Sequence, residues 1–364
     1  MRKYSVLVVD DSAFMRKMVS DILNQSERLE VVGTARNGED AIKKIELIKP
    51  AVITLDVEMP VMDGIETLKI IMDRHPTPVV MLSSLTKTGA DKTIEAITLG
   101  AVDFIAKPSG SISLNIKEIE NEIISKVEQA VQSNITVHSA KKAAKVQISK
   151  EERQVSSRIV NSTFIKTNRA LKPIVAIGSS TGGPRALQEV ITSLPGDFQA
   201  PVVIVQHMPK GFTKSLADRL NKLSEIDVKE VEDGDVIEPG KVYIAQGGKQ
   251  FEVEETGNKF LAKVRTDVPV NGHQPSVDVL FTSIAKLREC QPVAVILTGM
   301  GSDGSKGIET LKRSHPRTVT ISQSEETCVV YGMPQAAVKT SLVDYVLDIQ
   351  YISEMLQKKS KQQG

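Results

Sequence analysis

The stretch Ile174-Val-Ala-Ile-Gly-Ser-Ser-Thr-Gly-Gly-Pro184 decides the fold of the second half of this chain. Its four apolar residues, Ile174 to Ile177, read as a buried strand. Gly178 and the pair Gly182-Gly183 mark a tight loop. Pro184 suits the first turn of a helix, which Arg185-Ala186-Leu187 continues. Ser179, Ser180 and Thr181 therefore stand at the C-terminal edge of a parallel sheet, where open α/β folds place their chemistry. Three readings fit this loop. The hydroxyls cap the helix. The glycines cradle a phosphate, although this loop matches neither GxGxxG nor GxxxxGK[ST]. Or one serine attacks an acyl group, without the GxSxG of an α/β-hydrolase elbow. The third reading needs a base and an orienting acid from elsewhere in the chain.

Outward from this stretch the alternation of strands and helices continues. Val202-Val-Ile-Val205 is a strand, followed at once by Gln206-His207-Met208-Pro209. Phe212 to Leu223 has helical spacing. Val228 to Val264 is rich in β-formers and turns, which predicts antiparallel hairpins. Pro275 to Leu287 reads as a helix with Ser276 as its cap. Val293 to Leu297 is a buried strand running into Thr298-Gly-Met-Gly-Ser-Asp-Gly304. Helices over Ile308–Arg313, Pro334–Lys339 and Tyr351–Lys358 and a strand at Thr318–Ile321 complete the pattern. Ser180, His207 and Asp303 all follow strong apolar strands, and parallel strands end on one edge, so the three can converge. His207 can take the serine proton and Asp303 can orient the ring. The plainer alternative is a structural histidine and an aspartate forming a turn before glycine. The order Ser, His, Asp along the chain is no obstacle, since triads are defined by geometry. His273 is the other well-placed histidine; His75, His138 and His315 are expected at the surface.

Toward the N-terminus the same architecture recurs. Val6–Val9, Val52–Leu55, Val79–Leu82 and Asp103–Ala106 read as strands, with Ala13 to Asn24 helical, predicting a doubly wound parallel sheet. Asp10 and Asp11 follow the first strand and Asp56 follows another, so three carboxylates converge at one edge. A hard divalent cation with oxygen ligands relieves their repulsion. Ser83 offers a hydroxyl and Lys107 a cation at that edge. This set suits phosphoryl transfer onto a carboxylate. Singly, each aspartate reads equally well as a turn former.

Composition bounds the remaining choices. At 364 residues, two domains are expected, and 40% hydrophobic content supports sizeable cores. The net charge of +1 gives no basic field for nucleic acid. The apolar runs are strand-length, so neither a membrane span nor a secretory signal is expected. Cys290 and Cys328 imply no disulfide framework and no zinc cluster, which suits a reducing, cytoplasmic setting. An amphipathic helix near Asn115 to Ser133 closes the first domain. Between Ile135 and Ala170 the pattern dissolves into a basic, polar linker. The expected bounds are 1–134, a linker at 135–170, a second domain at 171–358 and a tail at 359–364.

Two resemblances follow from these residues. The first 130 positions resemble a two-component receiver domain, through Asp10-Asp11, Asp56 in LDVEMPVMDG, Ser83 after VVML and Lys107-Pro108. The resemblance implies a flavodoxin-like five-stranded fold and phosphorylation of Asp56 by a partner histidine kinase. It implies Mg²⁺ held by Asp11, Asp56 and a backbone carbonyl near Glu58, with Asp10 either behind these ligands or bridging through water, and a cis Lys107-Pro108 peptide. The stretches GSSTGGP, VIVQHMP, HQPSVDVLF and ILTGMGSDG, in this order behind a receiver, resemble the chemotaxis protein-glutamate methylesterase family, the CheB type. That family implies Ser180 as nucleophile, His207 as base, Asp303 as orienting carboxylate and an oxyanion hole using the Met300 N–H. Thr181 and His273 match residues lining its site, and no cofactor is implied there. It also implies methyl-accepting chemoreceptors as substrates, deamidation of receptor glutamines, and a receiver that covers the Ser180 cleft until phosphorylated. The family commonly has alanine where this chain has Ser179, which leaves a second hydroxyl beside the nucleophile.

Other classes make different demands. A receiver-controlled transcription factor calls for a small helical output domain with a basic recognition helix. A nucleotide-reading module would rest on the GSSTGG loop alone. A scaffold would keep the triad residues without turnover.

Overall fold

The computed structural model describes residues 3–107, 116–133 and 171–361. The expected linker, the Lys107-Pro108 bond and His138 lie outside the described residues. The first unit runs β1 (Tyr4–Val9), α1 (Ala13–Asn24), β2 (Leu29–Ala35), α2 (Gly38–Ile48), β3 (Val52–Asp56), α3 (Gly64–Arg74), β4 (Val79–Ser83), α4 (Lys87–Leu99), β5 (Asp103–Ala106) and α5 (Ile116–Gln132). The strands pair in parallel in the order β2-β1-β3-β4-β5. Strands β3 and β4 are buried along their whole length, which is why they read as continuous apolar runs. Strand β2 gave no such run because it lies at the sheet edge and buries only Leu29 and Ala35. Ser12, Asn37, Asp63 and Thr86 cap α1 to α4, each accepting from the N–H three residues on. Each such cap contributes about 1 kcal/mol and starts its helix close behind the strand edge.

The second unit runs β6 (Lys172–Ser179), α6 (Gly183–Thr192), β7 (Val202–Gln206), α7 (Phe212–Leu223), β8 (Asp227–Glu230), β9 (Lys241–Ile244), β10 (Gln250–Thr256), β11 (Lys259–Arg265), α8 (Val277–Ile284), β12 (Cys290–Ile296), α9 (Ser305–Ser314), β13 (Val319–Gln323), α10 (Met333–Lys339), β14 (Tyr345–Leu347) and α11 (Ile349–Lys361). Seven strands form one sheet in the order β14-β13-β12-β6-β7-β9-β8, and every named pair in it is parallel. The expectation of several hairpins over Val228–Val264 is corrected. Of the strands in this stretch, β10 and β11 pair antiparallel, with one isolated antiparallel bridge between Val236 and Leu261, whereas β8 and β9 extend the parallel sheet. Strand direction is set by the neighbour: Val242 and Ile244 pair with Val202 and Ile204 of β7, and no local pattern encodes that. Strand β6 lies between β7 and β12, so the chain leaves it toward one side and returns on the other. That reversal opens a crevice at the C-terminal end of β6, where Ser180 follows the strand. The terminal helix reaches Lys361, beyond the expected end at Lys358.

The two units share a packed face. Helix α4 lies against α6 and α7. The Phe104 ring of β5 stacks on Phe212 of α7 with centroids 4.5 Å apart and planes inclined by 27°. One apolar cluster joins Ile94 and Phe104 of the first unit to Phe212 and Leu216 of the second. Val329 of the second unit packs against the cluster that contains Ile123 and Val127 of α5.

Candidate active site

The two neighbouring serines have different surroundings. Ser179 ends β6, is fully buried, and donates its hydroxyl to Gln206 Oε1 at 2.7 Å. Ser180 stands just beyond the strand and is half-buried. Its N–H donates to Thr298 O at 3.0 Å, tying this loop to the loop after β12. Its carbonyl accepts from Gly183 N at 2.8 Å and from Gln206 Nε2 at 2.9 Å. The glycines are needed because this space is already filled. Gly182 has φ +77, and a Cβ on Gly183 would sit 1.9 Å from Gln206 Oε1.

His207 follows β7 and donates its backbone N–H to Ser179 O at 3.0 Å. Its ring Nε2 lies 2.8 Å from Asp303 Oδ2. The other ring nitrogen, Nδ1, is buried and has no hydrogen-bond partner among the described residues. The His273 ring stacks on it, with centroids 3.8 Å apart and planes 10° from parallel. Burial first, and then the His207 charge, lower the His273 pKa to about 4 against the pull of Asp303. At neutral pH His273 is therefore an uncharged lid on the imidazole.

Asp303 is buried and accepts five hydrogen bonds. Oδ2 takes His207 Nε2 and, at 2.7 Å, Val277 N. Oδ1 takes Ser276 Oγ at 2.9 Å, Asp278 N at 3.0 Å and Gly304 N at 3.1 Å. Burial pushes this carboxyl up, but the His207 hydrogen bond and charge and the N–H groups of Asp278 and Val277 outweigh it. The net result is a pKa below the ordinary carboxylate range.

The other two expected site residues face the first unit. Thr181 is buried and donates its hydroxyl to Asp103 Oδ2 at 2.6 Å. Met300 is 47% exposed, with its sulfur 2.6 Å from Gln129 Nε2 and 3.4 Å from Ser125 Oγ of α5. Lys126 of α5 braces this contact, donating to Phe104 O at 2.6 Å and lying 3.7 Å from Asp103 Oδ1. Burial lowers the Lys126 pKa, but the charges of Asp103 and Glu122 raise it overall, so the ammonium stays charged. Both loops that flank Ser180 are thus held by β5 and α5.

At the far edge of the first sheet, Asp10, Asp11 and Asp56 each place a carboxylate oxygen within 4.8 Å of the others. Asp10 and Asp56 are buried and Asp11 is exposed. Lys107 Nζ lies 2.9 Å from Asp10 Oδ2 and 2.7 Å from Asp56 Oδ2. Burial raises the Asp56 pKa to about 6; Lys107 opposes this and Asp10 adds to it. Glu58 offers its N–H to Asp56 Oδ1 at 3.4 Å, while its exposed side chain lies outside the carboxylate cluster. Ser83 is buried and donates to Gly89 O at 3.1 Å, so its hydroxyl is turned toward the start of α4.

Sequence reasoning did not single out Gln206, Asp278, Asp103, Lys126 or Gln129. Each is a polar residue inside an ordinary strand, helix or loop pattern, and its partner lies far away in sequence. Ser276 stands at the cap position of α8, as the sequence predicts, and its hydroxyl goes to Asp303 rather than to the helix. His75 and His315 are half-buried; His315 Nε2 lies 3.7 Å from Cys290 Sγ.

Comparisons with known proteins agree with this architecture. A family model described as CheB methylesterase matches residues 175–356, and one described as response regulator receiver domain matches residues 6–117. A protein-glutamate methylesterase/protein-glutamine glutaminase of Oceanobacillus iheyensis is 49% identical over 358 residues, covering 98% of this chain and 99% of that one. Its counterpart in Geobacillus kaustophilus is 51% identical over 353 residues, covering 97% of each chain. The crystal structure of the Thermotoga maritima CheB methylesterase catalytic domain superposes with a TM-score of 0.50 at 44% identity, covering 52% of this chain and 98% of that chain. With a parallel-sheet unit of the receiver type in front and a matched catalytic unit behind, this chain belongs to the CheB methylesterase family.

Proposed function

We propose that this chain hydrolyses glutamate γ-methyl esters on chemoreceptors, and deamidates receptor glutamines, under the control of its own receiver. The names of its relatives carry both activities. The observation in this chain that carries the reading is the 2.8 Å contact between His207 and a buried, fully hydrogen-bonded Asp303, next to the Ser180 loop. In this reading the Ser180 hydroxyl attacks the ester carbonyl and its proton passes to His207 Nδ1, the nitrogen that Asp303 does not engage. Asp303 holds the opposite N–H and balances the imidazolium. The Met300 N–H stabilises the oxyanion. The carbon–oxygen bond to the methoxy group breaks, and His207 returns the proton to release methanol. Water then attacks the acyl-enzyme, again giving its proton to His207, and glutamate is released as Ser180 is restored. With a glutamine side chain, ammonia leaves in place of methanol. Thr181 and His273 line the site, His273 as a neutral ring over the base.

In the receiver, Asp56 accepts phosphate from a histidine kinase of the chemotaxis system. The carboxylates of Asp10, Asp11 and Asp56, gathered within 4.8 Å of one another, fit Mg²⁺, a hard cation that prefers oxygen ligands; Lys107, 2.9 Å from Asp10 Oδ2 and 2.7 Å from Asp56 Oδ2, balances part of their charge. The Glu58 carbonyl would complete the set, and the bound ion would neutralise charge on the phosphoryl oxygens. Ser83 and Lys107 would turn toward the phosphate. Lys107 directly follows β5, whose first residue is the Asp103 that holds Thr181. Drawing Lys107 to a phosphate therefore disturbs the strand that covers the site, and the population shifts toward an open arrangement. The unit bounds 1–134 and 171–358, with a linker between them, belong to this proposal, as does a cytoplasmic setting. Among the described residues no helix is long and apolar enough to cross a membrane.

Labelling with a fluorophosphonate that mimics the tetrahedral intermediate tests the nucleophile. Fragmentation of the labelled peptide is expected to place the adduct on Ser180, and Ser180→Ala is expected to abolish it. An adduct on Ser179 overturns the assignment.

A further inference from the structure

The Asp303 carboxylate sits in an arrangement that the proposed triad does not require. Asp303 follows the loop after β12 and precedes α9, yet it accepts from the first turn of α8: Ser276 Oγ, Val277 N and Asp278 N. Asp278, in that first turn of α8, does the reverse. Its Oδ1 accepts Gly304 N at 2.9 Å and Gly307 N at 2.7 Å, the first turn of α9. Its Oδ2 accepts Asn271 Nδ2 at 3.4 Å. Each acid thus caps the other's helix, and Gly304 N is shared between them. A Cβ on Gly304 would lie 2.6 Å from Ile296 Cδ1 and 2.8 Å from Val277 Cγ1, and one on Gly307 would lie 2.6 Å from Phe281 Cβ. The two helix starts approach that closely because both positions lack a side chain.

We infer that Asp278 is a positioning residue for the reaction: its carboxylate fixes the start of α9 against α8 and so aims Asp303 Oδ2 at His207 Nε2. The inference rests on the triad reading above and adds a residue to it. A side chain at hydrogen-bond distance is worth most when its own support is rigid, because small displacements of a catalytic group cost rate steeply. Asp278 is buried beside a second carboxylate. Burial, and then the charge of Asp303, push its pKa up. A buried carboxylate kept next to the triad acid at that electrostatic cost is explained by its reach to the two α9 N–H groups, which a shorter or longer side chain cannot match.

The test compares Asp278→Asn, Asp278→Glu and Asp278→Ala in the full chain. Asparagine keeps an acceptor at the Oδ1 position and drops the charge; glutamate keeps the charge and displaces the acceptor. Positioning predicts that the asparagine variant retains kcat within about fivefold, while glutamate and alanine lose on the order of 100-fold in kcat with KM nearly unchanged. An NMR signature reads the same geometry without turnover. The ring N–H proton that His207 shares with Asp303 is expected to remain downfield and protected from exchange in wild type and Asp278→Asn. It is expected to be lost in Asp278→Glu. Should the alanine variant fail to fold, the asparagine–glutamate contrast still decides. An active glutamate variant beside an inactive asparagine variant overturns the inference in favour of a charge effect. So does an unchanged His207 ring proton in Asp278→Glu. If the wild type releases no methanol, the functional reading fails, and the ring proton still tests the positioning.

Discussion

Removing the Asp103 carboxylate is expected to switch on turnover without phosphate. Asp103 belongs to the receiver, and its Oδ2 accepts the buried Thr181 hydroxyl at 2.6 Å, one residue from Ser180. A hydrogen bond to a charged partner contributes about 1.5–3 kcal/mol net. Lys126 is not orphaned in Asp103→Ala, because Glu122 lies 3.0 Å away. The Phe104–Phe212 stack and the α4 packing remain. The closed arrangement should therefore lose about 1.5–3 kcal/mol and no more, which multiplies the open-to-closed ratio by about 10- to 150-fold. The rate of methanol release without phosphodonor rises by the same factor, up to the ceiling of the fully open enzyme. Asp103→Asn keeps an acceptor for Thr181 and should give a smaller rise. The assay is methanol release from methylated receptor fragments, with and without a small phosphodonor. An Asp103→Ala chain that folds, accepts phosphate and keeps the wild-type unphosphorylated rate refutes this account of the latch.

Other consequences follow from the same geometry. Ser179→Ala should keep turnover within about tenfold and cost about 1 kcal/mol of stability, since its hydroxyl bonds to the Gln206 side chain; denaturant titration beside the esterase assay checks both. Asp56 has a pKa of about 6 against an ordinary 3.8. The fold therefore holds that proton more tightly than the unfolded chain, a contribution present below about pH 4 and lost as pH rises through about 6. Asp56→Asn should raise the stability of the receiver by up to about 3 kcal/mol at neutral pH and by little at pH 4, read by thermal melting. An effect of equal size at both pH values would contradict it. His273 behaves oppositely: its pKa falls from 6.5 to about 4, so its neutral form supports the fold above 6.5 and that support is lost as pH falls toward 4. His273→Gln should flatten the loss of stability across that window.

Much of this was legible in the sequence because strands buried on both faces advertise themselves. Ile174 to Ile177 and Val293 to Ile296 are runs that only a central parallel strand explains, and the residues after them had to share one edge. What stayed hidden depended on partners remote in sequence. The pair Thr181 and Asp103 is separated by 78 residues, and nothing at either position marks the other. The crossed caps of Asp278 and Asp303 read locally as a helix-start acid and a turn aspartate. The directions of β8 and β9 were hidden too, since strands of four residues look alike whether they run with or against a neighbour. The receiver acids were the reverse case: each is bland alone, and the order of strand ends assembles them.

The most direct test of the central claim is methanol release from methylated receptor fragments by the wild type and by Ser180→Ala, each with and without phosphodonor and Mg²⁺. Release is expected to require Ser180 and to rise with phosphodonor. Release that persists in Ser180→Ala, or that ignores the phosphodonor in the wild type, would contradict it.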